Sequence, residues 1–127
     1  MKRRLVVVLA TATAALVAAL PAQTAAPVLV GTVGPGFTIT LTQNGKKVTS
    51  LKAGTYTFRV SDKSNIHDFH LKGPGGFSKV ARPAAKKDSD AVAWTGTVSF
   101  QIALKKGTYT YVCDPHATTM KGSFKVA

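Results

Sequence analysis

From residue 28 onward, apolar side chains recur at every second position, and no stretch shows the period of a helix. This alternation is typical of β-strands that bury one face and expose the other. It is clearest over residues 37–41, 56–60, 98–104 and 109–113, and further strands are predicted over residues 66–71 and at Phe124 and Val126. Seven to eight short strands within about 100 residues predict an all-β fold, an antiparallel β-sandwich of Greek-key type.

Two ten-residue segments resemble each other, LKAGTYTFRV at residues 51–60 and LKKGTYTYVC at residues 104–113. Each places a turn glycine two residues before a tyrosine that begins a predicted strand. Two interpretations remain open. The tyrosines could form the tyrosine corners of sandwich domains, in which the hydroxyl group bonds to the backbone upstream, or two turn-plus-strand sequences could simply have converged.

The first 26 residues predict an export signal. A basic KRR segment at residues 2–4 precedes an uncharged apolar run over residues 5–20, and small residues at positions 22, 25 and 26 suit cleavage between residues 22 and 26. A membrane anchor is the weaker interpretation, because a span needs about 20 apolar residues. We therefore expect a domain over residues 27–127, located in the periplasm, the cell envelope or the extracellular space, without stable membrane insertion after cleavage.

The charged residues argue against several classes of function. The chain has 17 Lys and Arg against 5 Asp and no Glu, a formal net charge of +12. This composition argues against a calcium or magnesium cage and against a paired-carboxylate hydrolase. Nucleic acid is not an expected partner, because no basic helix is predicted and few aromatic residues lie among the charges. We expect a monomer whose partner proteins carry an acidic docking surface.

The single cysteine points to a metal site. An unpaired thiol in an oxidising compartment needs a reason, and metal ligation is one. Cys113, His116 and Met120 lie on one predicted strand-to-strand connection with the spacing Cys-x2-His-x3-Met. Two imidazoles, one thiolate and a weak, distant methionine are the ligand set of a blue-copper electron-transfer site.

The second imidazole must come from His67 or His70, since the chain has three histidines. On a strand over residues 66–71, His67 shares a face with the apolar Phe69 and Leu71, whereas His70 shares the other face with Asp68. Because a buried metal needs an inward ligand, we expect His67 to belong to the site and His70 to lie at the surface or behind the ligands.

The run GTYTYVCDPHATTM at residues 107–120 resembles the C-terminal copper loop of small type 1 blue-copper proteins, the cupredoxins of the plastocyanin, amicyanin and azurin kind. His67 and the residues after it resemble the family's first histidine segment. The resemblance implies a cupredoxin-like sandwich, one copper ion per chain held by His67, Cys113, His116 and Met120, and a one-electron carrier that is not an enzyme.

The resemblance also implies an exit for the electron. In the family the loop histidine reaches the surface through an apolar patch, a role that falls to His116 here. Pro115 and Ala117 would surround it, with Pro35 and Pro74 as further candidates.

One residue departs from the family pattern. Asp68 stands where the family has an asparagine that ties the two ligand loops together by hydrogen bonding. We expect Asp68 to accept a backbone N–H near Asp114. An ionised Asp68 close to the metal should favour Cu(II) and lower the reduction potential.

The same residues are compatible with other functions. The protein could be a copper carrier or buffer, although such proteins commonly use several methionines and residues 27–127 contain only Met120. A structural zinc site could use Cys113 with all three histidines. A Cys113–His116 nucleophilic dyad lacks a third group to orient the histidine, and a multicopper oxidase would require several such domains.

Overall fold

The computed structural model describes residue 12 and residues 14–127. The basic segment and much of the apolar run of the predicted export signal, residues 1–11 and 13, lie outside the described residues. Across the described part of the chain, no helix is long and apolar enough to cross a membrane. The strands are β1 (Val28–Val33), β2 (Ile39–Gln43), β3 (Lys46–Lys47), β4 (Ser50–Leu51), β5 (Gly54–Asp62), β6 (His70–Lys72), β7 (Ser78–Val80), β8 (Gly96–Leu104), β9 (Gly107–Val112) and β10 (Lys121–Val126).

The ten strands form two five-stranded sheets, which confirms the all-β sandwich. The strand order is β3-β2-β1-β5-β8 in the first sheet and β4-β10-β9-β6-β7 in the second. Two of the strands, β3 and β4, have only two residues each, so the remaining eight agree with the predicted number. Single turns of 3-10 helix lie at Pro74–Gly76, Asp88–Asp90 and Asp114–His116.

The sequence pattern predicted a wholly antiparallel sandwich, and this prediction was wrong. The strand pairs β1–β5 and β4–β10 run parallel. The chain leaves the first sheet after β3, contributes β4 to the second sheet and returns as β5. Parallel neighbours need such a crossover connection, which residue alternation alone does not reveal.

The alternating residues form the core between the sheets. In β5, Tyr56, Phe58 and Val60 are buried while the residues between them are more accessible. Val98, Phe100 and Ile102 of β8 are only half-buried, because β8 ends its sheet among the described residues. Aromatic rings stack across the core in three parallel pairs, Phe58–Phe100, Phe69–Tyr111 and Tyr109–Phe124.

The two related segments close in the same way, which confirms the tyrosine-corner interpretation. The Tyr56 hydroxyl donates a hydrogen bond to the carbonyl oxygen of Lys52 at 2.9 Å. The Tyr109 hydroxyl accepts one from the backbone N–H of Lys105 at 3.0 Å. Each tyrosine therefore anchors the turn four residues before it, once as donor and once as acceptor.

We expect Tyr56→Phe and Tyr109→Phe each to lower the free energy of unfolding by about 1 kcal/mol, because each leaves a partly buried backbone group unpaired. Denaturant unfolding of the metal-free protein measures the effect. Tyr111→Phe is the matched control, because the hydroxyl of Tyr111 makes no hydrogen bond within the described part of the chain. An equal loss in all three variants would contradict the corner assignment.

Candidate metal centre

Three loops meet at one end of the sandwich. They span residues 34–38, 63–69 and 113–120. Val33, the last residue of β1, pairs with the first residue of β2 and the last of β5. Val112, the last residue of β9, pairs with the first residues of β6 and β10. Because the strands end in register, the loops leave the two sheets side by side.

The loop that carries the Cys-x2-His-x3-Met motif is closed by its own backbone. The N–H of Cys113 donates to the carbonyl oxygen of Met120 at 3.0 Å, and the N–H of His116 donates to that of Cys113 at 3.0 Å. The N–H of Met120 donates to the carbonyl oxygen of His116 at 2.8 Å. The turn of 3-10 helix at Asp114–His116 explains the motif's first spacing, since it turns the His116 side chain back toward the Cys113 sulfur.

Three potential ligand atoms converge at this end. The Cys113 Sγ lies 3.7 Å from His67 Nδ1 and 3.6 Å from His116 Nδ1, and the two Nδ1 atoms are 3.1 Å apart. The centre of a triangle of this size lies about 2 Å from each atom, close to metal–nitrogen bond lengths in proteins. The three atoms are thus spaced to share one metal ion.

The site is closed to water except at one residue. His67 and Cys113 are fully buried and Met120 is 1% exposed, while His116 is partly exposed. Val33 packs with Cys113 and Met120, and Ile39 covers them. Burial raises the pKa of the Cys113 thiol. A bound cation offsets that cost, because metals ligate the thiolate.

His67 is buried, as expected. However, the strand predicted over residues 66–71, on which the choice of His67 was based, is shorter in the structure. Only residues 70–72 form β6, and residues 65 and 66 form a turn. Asp68, expected on the outer face with His70, is buried at 2% exposure. Strict alternation requires the extended backbone of a strand. Residues 67–69 precede β6, and their three successive side chains are all buried.

Asp68 joins the two ligand-bearing loops. Its Oδ1 accepts a hydrogen bond from the backbone N–H of Asp114 at 2.7 Å, as the sequence analysis expected. Burial raises the pKa of Asp68 to about 6, and the bond from Asp114 opposes that rise. The segment after His67 is thereby fixed to the residue that follows Cys113.

His70 is not part of the ligand cluster, as predicted. Its Nδ1 lies 2.7 Å from Asp114 Oδ2 and its Nε2 lies 2.7 Å from Ser78 Oγ. The Nζ of Lys72 lies 3.6 Å from the other Asp114 oxygen. Both ring nitrogens of His70 are therefore engaged outside the cluster of Cys113, His67 and His116. It provides a second link between the ligand loop and the sheet.

Phe37 contacts both imidazoles and was missed by the sequence analysis. Its ring meets that of His67 edge-on, with centroids 5.3 Å apart, and that of His116 at 4.9 Å. Phe37 is 65% exposed and lies in the loop before β2, not in a strand. The Gly34-Pro35-Gly36 segment before Phe37 is typical of a turn and could have indicated a loop. Because Phe37 and Ile39 are two residues apart, their alternation instead predicted a strand that begins at Phe37.

The two candidate prolines lie at opposite ends of the molecule. Pro35 belongs to the loop at the metal end, where its neighbour Gly34 approaches the His67 ring so closely that a Cβ there would lie 3.4 Å from it. Pro74 packs against Gly107, the first residue of β9, whereas Cys113 follows the last. Placing Pro74 beside His116 was therefore wrong.

Asp62 is a further buried acid at this end of the sandwich. It is 4% exposed and is the last residue of β5. Its Oδ1 accepts a hydrogen bond from the Ser64 N–H at 3.0 Å, whereas its Oδ2 has no partner among the described residues. Burial is the largest cause that raises the pKa of Asp62, to about 7.

Comparison with known proteins identifies a family and a fold. The family model described as copper binding proteins, plastocyanin/azurin family, matches residues 33–127. A comparison with curated protein sequences finds no match. Similar solved structures include a methionine-to-glutamine variant of rusticyanin, which is 22% identical with a TM-score of 0.53. A structure of the copper protein rusticyanin is 22% identical with a TM-score of 0.51.

In each case 79% of this chain and 76% of the other is covered, and identities this low show similarity of fold alone. The family match, together with the His67, Cys113 and His116 cluster and the nearby Met120, fits a single copper ion per chain.

We expect Asp62→Asn to flatten the pH dependence of stability. The folded protein holds the Asp62 proton up to about pH 7, whereas the unfolded chain releases it near pH 4. The contribution of Asp62 to stability is therefore fully present below pH 4 and is lost as pH rises through this window. It amounts to a few kcal/mol at most, since a tenfold difference in proton affinity is worth about 1.4 kcal/mol.

Urea unfolding of the metal-free protein between pH 4 and pH 8 measures this slope. Asp62→Asn should reduce the slope and make the protein more stable relative to wild type at pH 8 than at pH 5. The exposed Asp90→Asn is the control for loss of one carboxylate, and its slope should remain that of wild type. An unchanged slope in Asp62→Asn would show that the buried carboxyl group is not the cause.

Proposed function

Because the chain belongs to the plastocyanin/azurin family of copper-binding proteins, we propose that it is an exported blue-copper protein that carries one electron at a time between partner proteins. We assign the copper ligands to His67, Cys113, His116 and Met120. The observation that supports this most directly is the triangle of Cys113 Sγ and two imidazole Nδ1 atoms, all within 4.8 Å of one another.

Each proposed ligand has a distinct task. Bound copper supplies a one-electron couple between Cu(II) and Cu(I). The Cys113 thiolate gives a strong bond and electronic coupling, and the two imidazoles suit both oxidation states. Met120 offers a soft, weak thioether that favours Cu(I). The hydrogen-bonded ligand loop and the Asp68 link hold these groups in place, so that little needs to move when the electron is transferred.

The electron would leave through His116. It is the one member of the triangle that is partly exposed, since His67 and Cys113 are fully buried. The exposed Phe37 ring lies against it at 4.9 Å between centroids. We propose that these two rings are the apolar centre of the docking face, with Pro115 and Ala117 beside them.

Charge around this face favours an acidic partner. Asp62 and Asp68 are buried there, and Asp114 is engaged by His70 and Lys72. Exposed lysines flank the same end at positions 63, 72 and 121. Attraction between this surface and an acidic protein would speed association and weaken as salt is added.

Export is proposed from the sequence alone. Residues 1–26 carry the pattern of a signal, and residues 27–127 would remain as the functional domain in the periplasm, the cell envelope or the extracellular space. We propose that this domain acts as a monomer.

The visible spectrum tests the proposal. Residues 27–127 with one equivalent of Cu(II) should show an intense blue thiolate-to-copper band that is lost on reduction and absent in Cys113→Ser. His70→Gln is the matched control and should keep the band, because both His70 ring nitrogens are engaged outside the cluster. A colourless protein that instead retains zinc tightly would overturn electron carriage.

Asp68→Asn should raise the reduction potential. The asparagine oxygen can still accept the Asp114 N–H, so the link between the loops is kept while the negative charge near the metal is removed. Removing that charge disfavours Cu(II). Voltammetry at pH 8 measures the change, and an unchanged or lower potential would refute a role for the Asp68 charge.

A further inference from the structure

A small cavity lies between the edges of the two sheets, beside the metal cluster, with which it shares Ile39. Its volume is about 180 Å³, and its walls include Ile39 and Leu41 of β2, Tyr111 of β9, and the lysines Lys47 and Lys121. The strand β3 covers β2 only at residues 42–43, so the edge of β2 is open beside the cavity. The walls therefore combine apolar side chains with two cations.

The Tyr111 hydroxyl reaches this cavity without a partner. Tyr111 pairs with Gly122 of β10, and its ring lies across that glycine, where a Cβ would stand only 2.3 Å from the hydroxyl oxygen. The ring thus extends over β10 toward β2, with the hydroxyl at its tip. Tyr111 is 1% exposed and its hydroxyl bonds to no group in the described part of the chain. Among the described residues, the fully buried side-chain polar atoms without a partner are Asp62 Oδ2 and His67 Nε2. The Tyr111 hydroxyl therefore reaches solvent at the cavity, where it is free to bond to a ligand.

A backbone donor faces the same gap. The N–H of Gly34 donates to the carbonyl oxygen of Thr38, which marks this as a hydrogen-bonded pair of the β1–β2 ladder. Bonded and non-bonded pairs alternate in antiparallel sheets, so the N–H of Ile39 points away from β1. Farther along this edge, the Val48 N–H donates a hydrogen bond to the Leu41 carbonyl oxygen. The N–H of Ile39 lies beyond that bond, beside the cavity.

The two lysines at the cavity have no acidic partner. Lys47 and Lys121 are exposed, and neither belongs to an ion pair among the described residues. They come from different sheets and stand on opposite sides of the gap between β2 and β10. Two cations, a hydroxyl group and an amide around apolar walls match a carboxylate with a short hydrocarbon body.

We propose that this cavity binds a small organic carboxylate. The volume of about 180 Å³ admits a molecule the size of benzoate. The carboxylate oxygens meet Lys47, Lys121 and the Tyr111 hydroxyl, and the hydrocarbon part lies against Ile39 and Leu41. None of the proposed copper ligands lines the cavity, although Ile39 also packs against Cys113 and Met120. Occupation of the cavity does not require the electron-carrier function.

Benzoate titration at constant ionic strength tests the site in the full chain, followed by calorimetry and by backbone amide shifts. We expect saturable 1:1 binding, with the largest shifts at residues 39–41 and 122. Benzamide, the neutral analogue, should bind much more weakly. Tyr111→Phe, Lys47→Gln and Lys121→Gln should each raise the dissociation constant by about fivefold to tenfold.

Lys125→Gln is the matched control, because Lys125 is exposed on the same strand β10 but does not line the cavity. Its dissociation constant should equal that of wild type. If Lys125→Gln weakens binding as much as Lys121→Gln, benzoate is responding to the overall positive charge and the proposal fails. Unsaturable binding, or equal affinity in Tyr111→Phe, overturns it as well. None of these outcomes bears on the blue band, so the two proposals fail independently.

Discussion

One hydrogen bond joins the two halves of the metal centre, from the Asp114 N–H to the Asp68 carboxylate. His67 and Cys113 lie on segments that are 46 residues apart in sequence, and this bond connects their immediate neighbours. The His70 ring reinforces it from outside, between Asp114 and Ser78. Because the backbone of both loops is tied to the sheet and to itself, the positions of the three ligand atoms are restrained.

The same arrangement separates charge by depth. Two carboxyl groups at this end, those of Asp62 and Asp68, are buried and have raised pKa values. The cations at this end are exposed lysines. On the proposed function, a partner protein would meet positive charge around the Phe37 and His116 rings, and the acidic groups beneath would act on the metal. Attraction of a partner and tuning of the metal would then fall to different residues.

The sequence predicted what depends on extended, paired backbone. Alternation placed Tyr56, Phe58 and Val60 in the core because β5 is paired along its whole length. The Cys113 loop was predictable because its spacing reflects a local helical turn. Asp68 and Phe37 were misplaced because they lie where the chain leaves the sheet, and there the side-chain directions are set by contacts between loops. The parallel partner of β1 depends on a crossover that leaves no periodic signal.

The parallel pairing of β1 with β5 also bears on the order in which the chain can fold. Residues 28–33 must wait for residues 57–62 before their second ladder can form, and closing so long a loop costs entropy before any contact repays it. A chain that crosses a membrane from its N-terminus would deliver β1 first and hold it without this neighbour. Local hairpins such as β9–β10, which contains most of the metal loop, can form as soon as they emerge. The loop that carries Cys113, His116 and Met120 can therefore form early, together with the β9–β10 hairpin. His67, which lies between β5 and β6, joins it only after the sheets have formed.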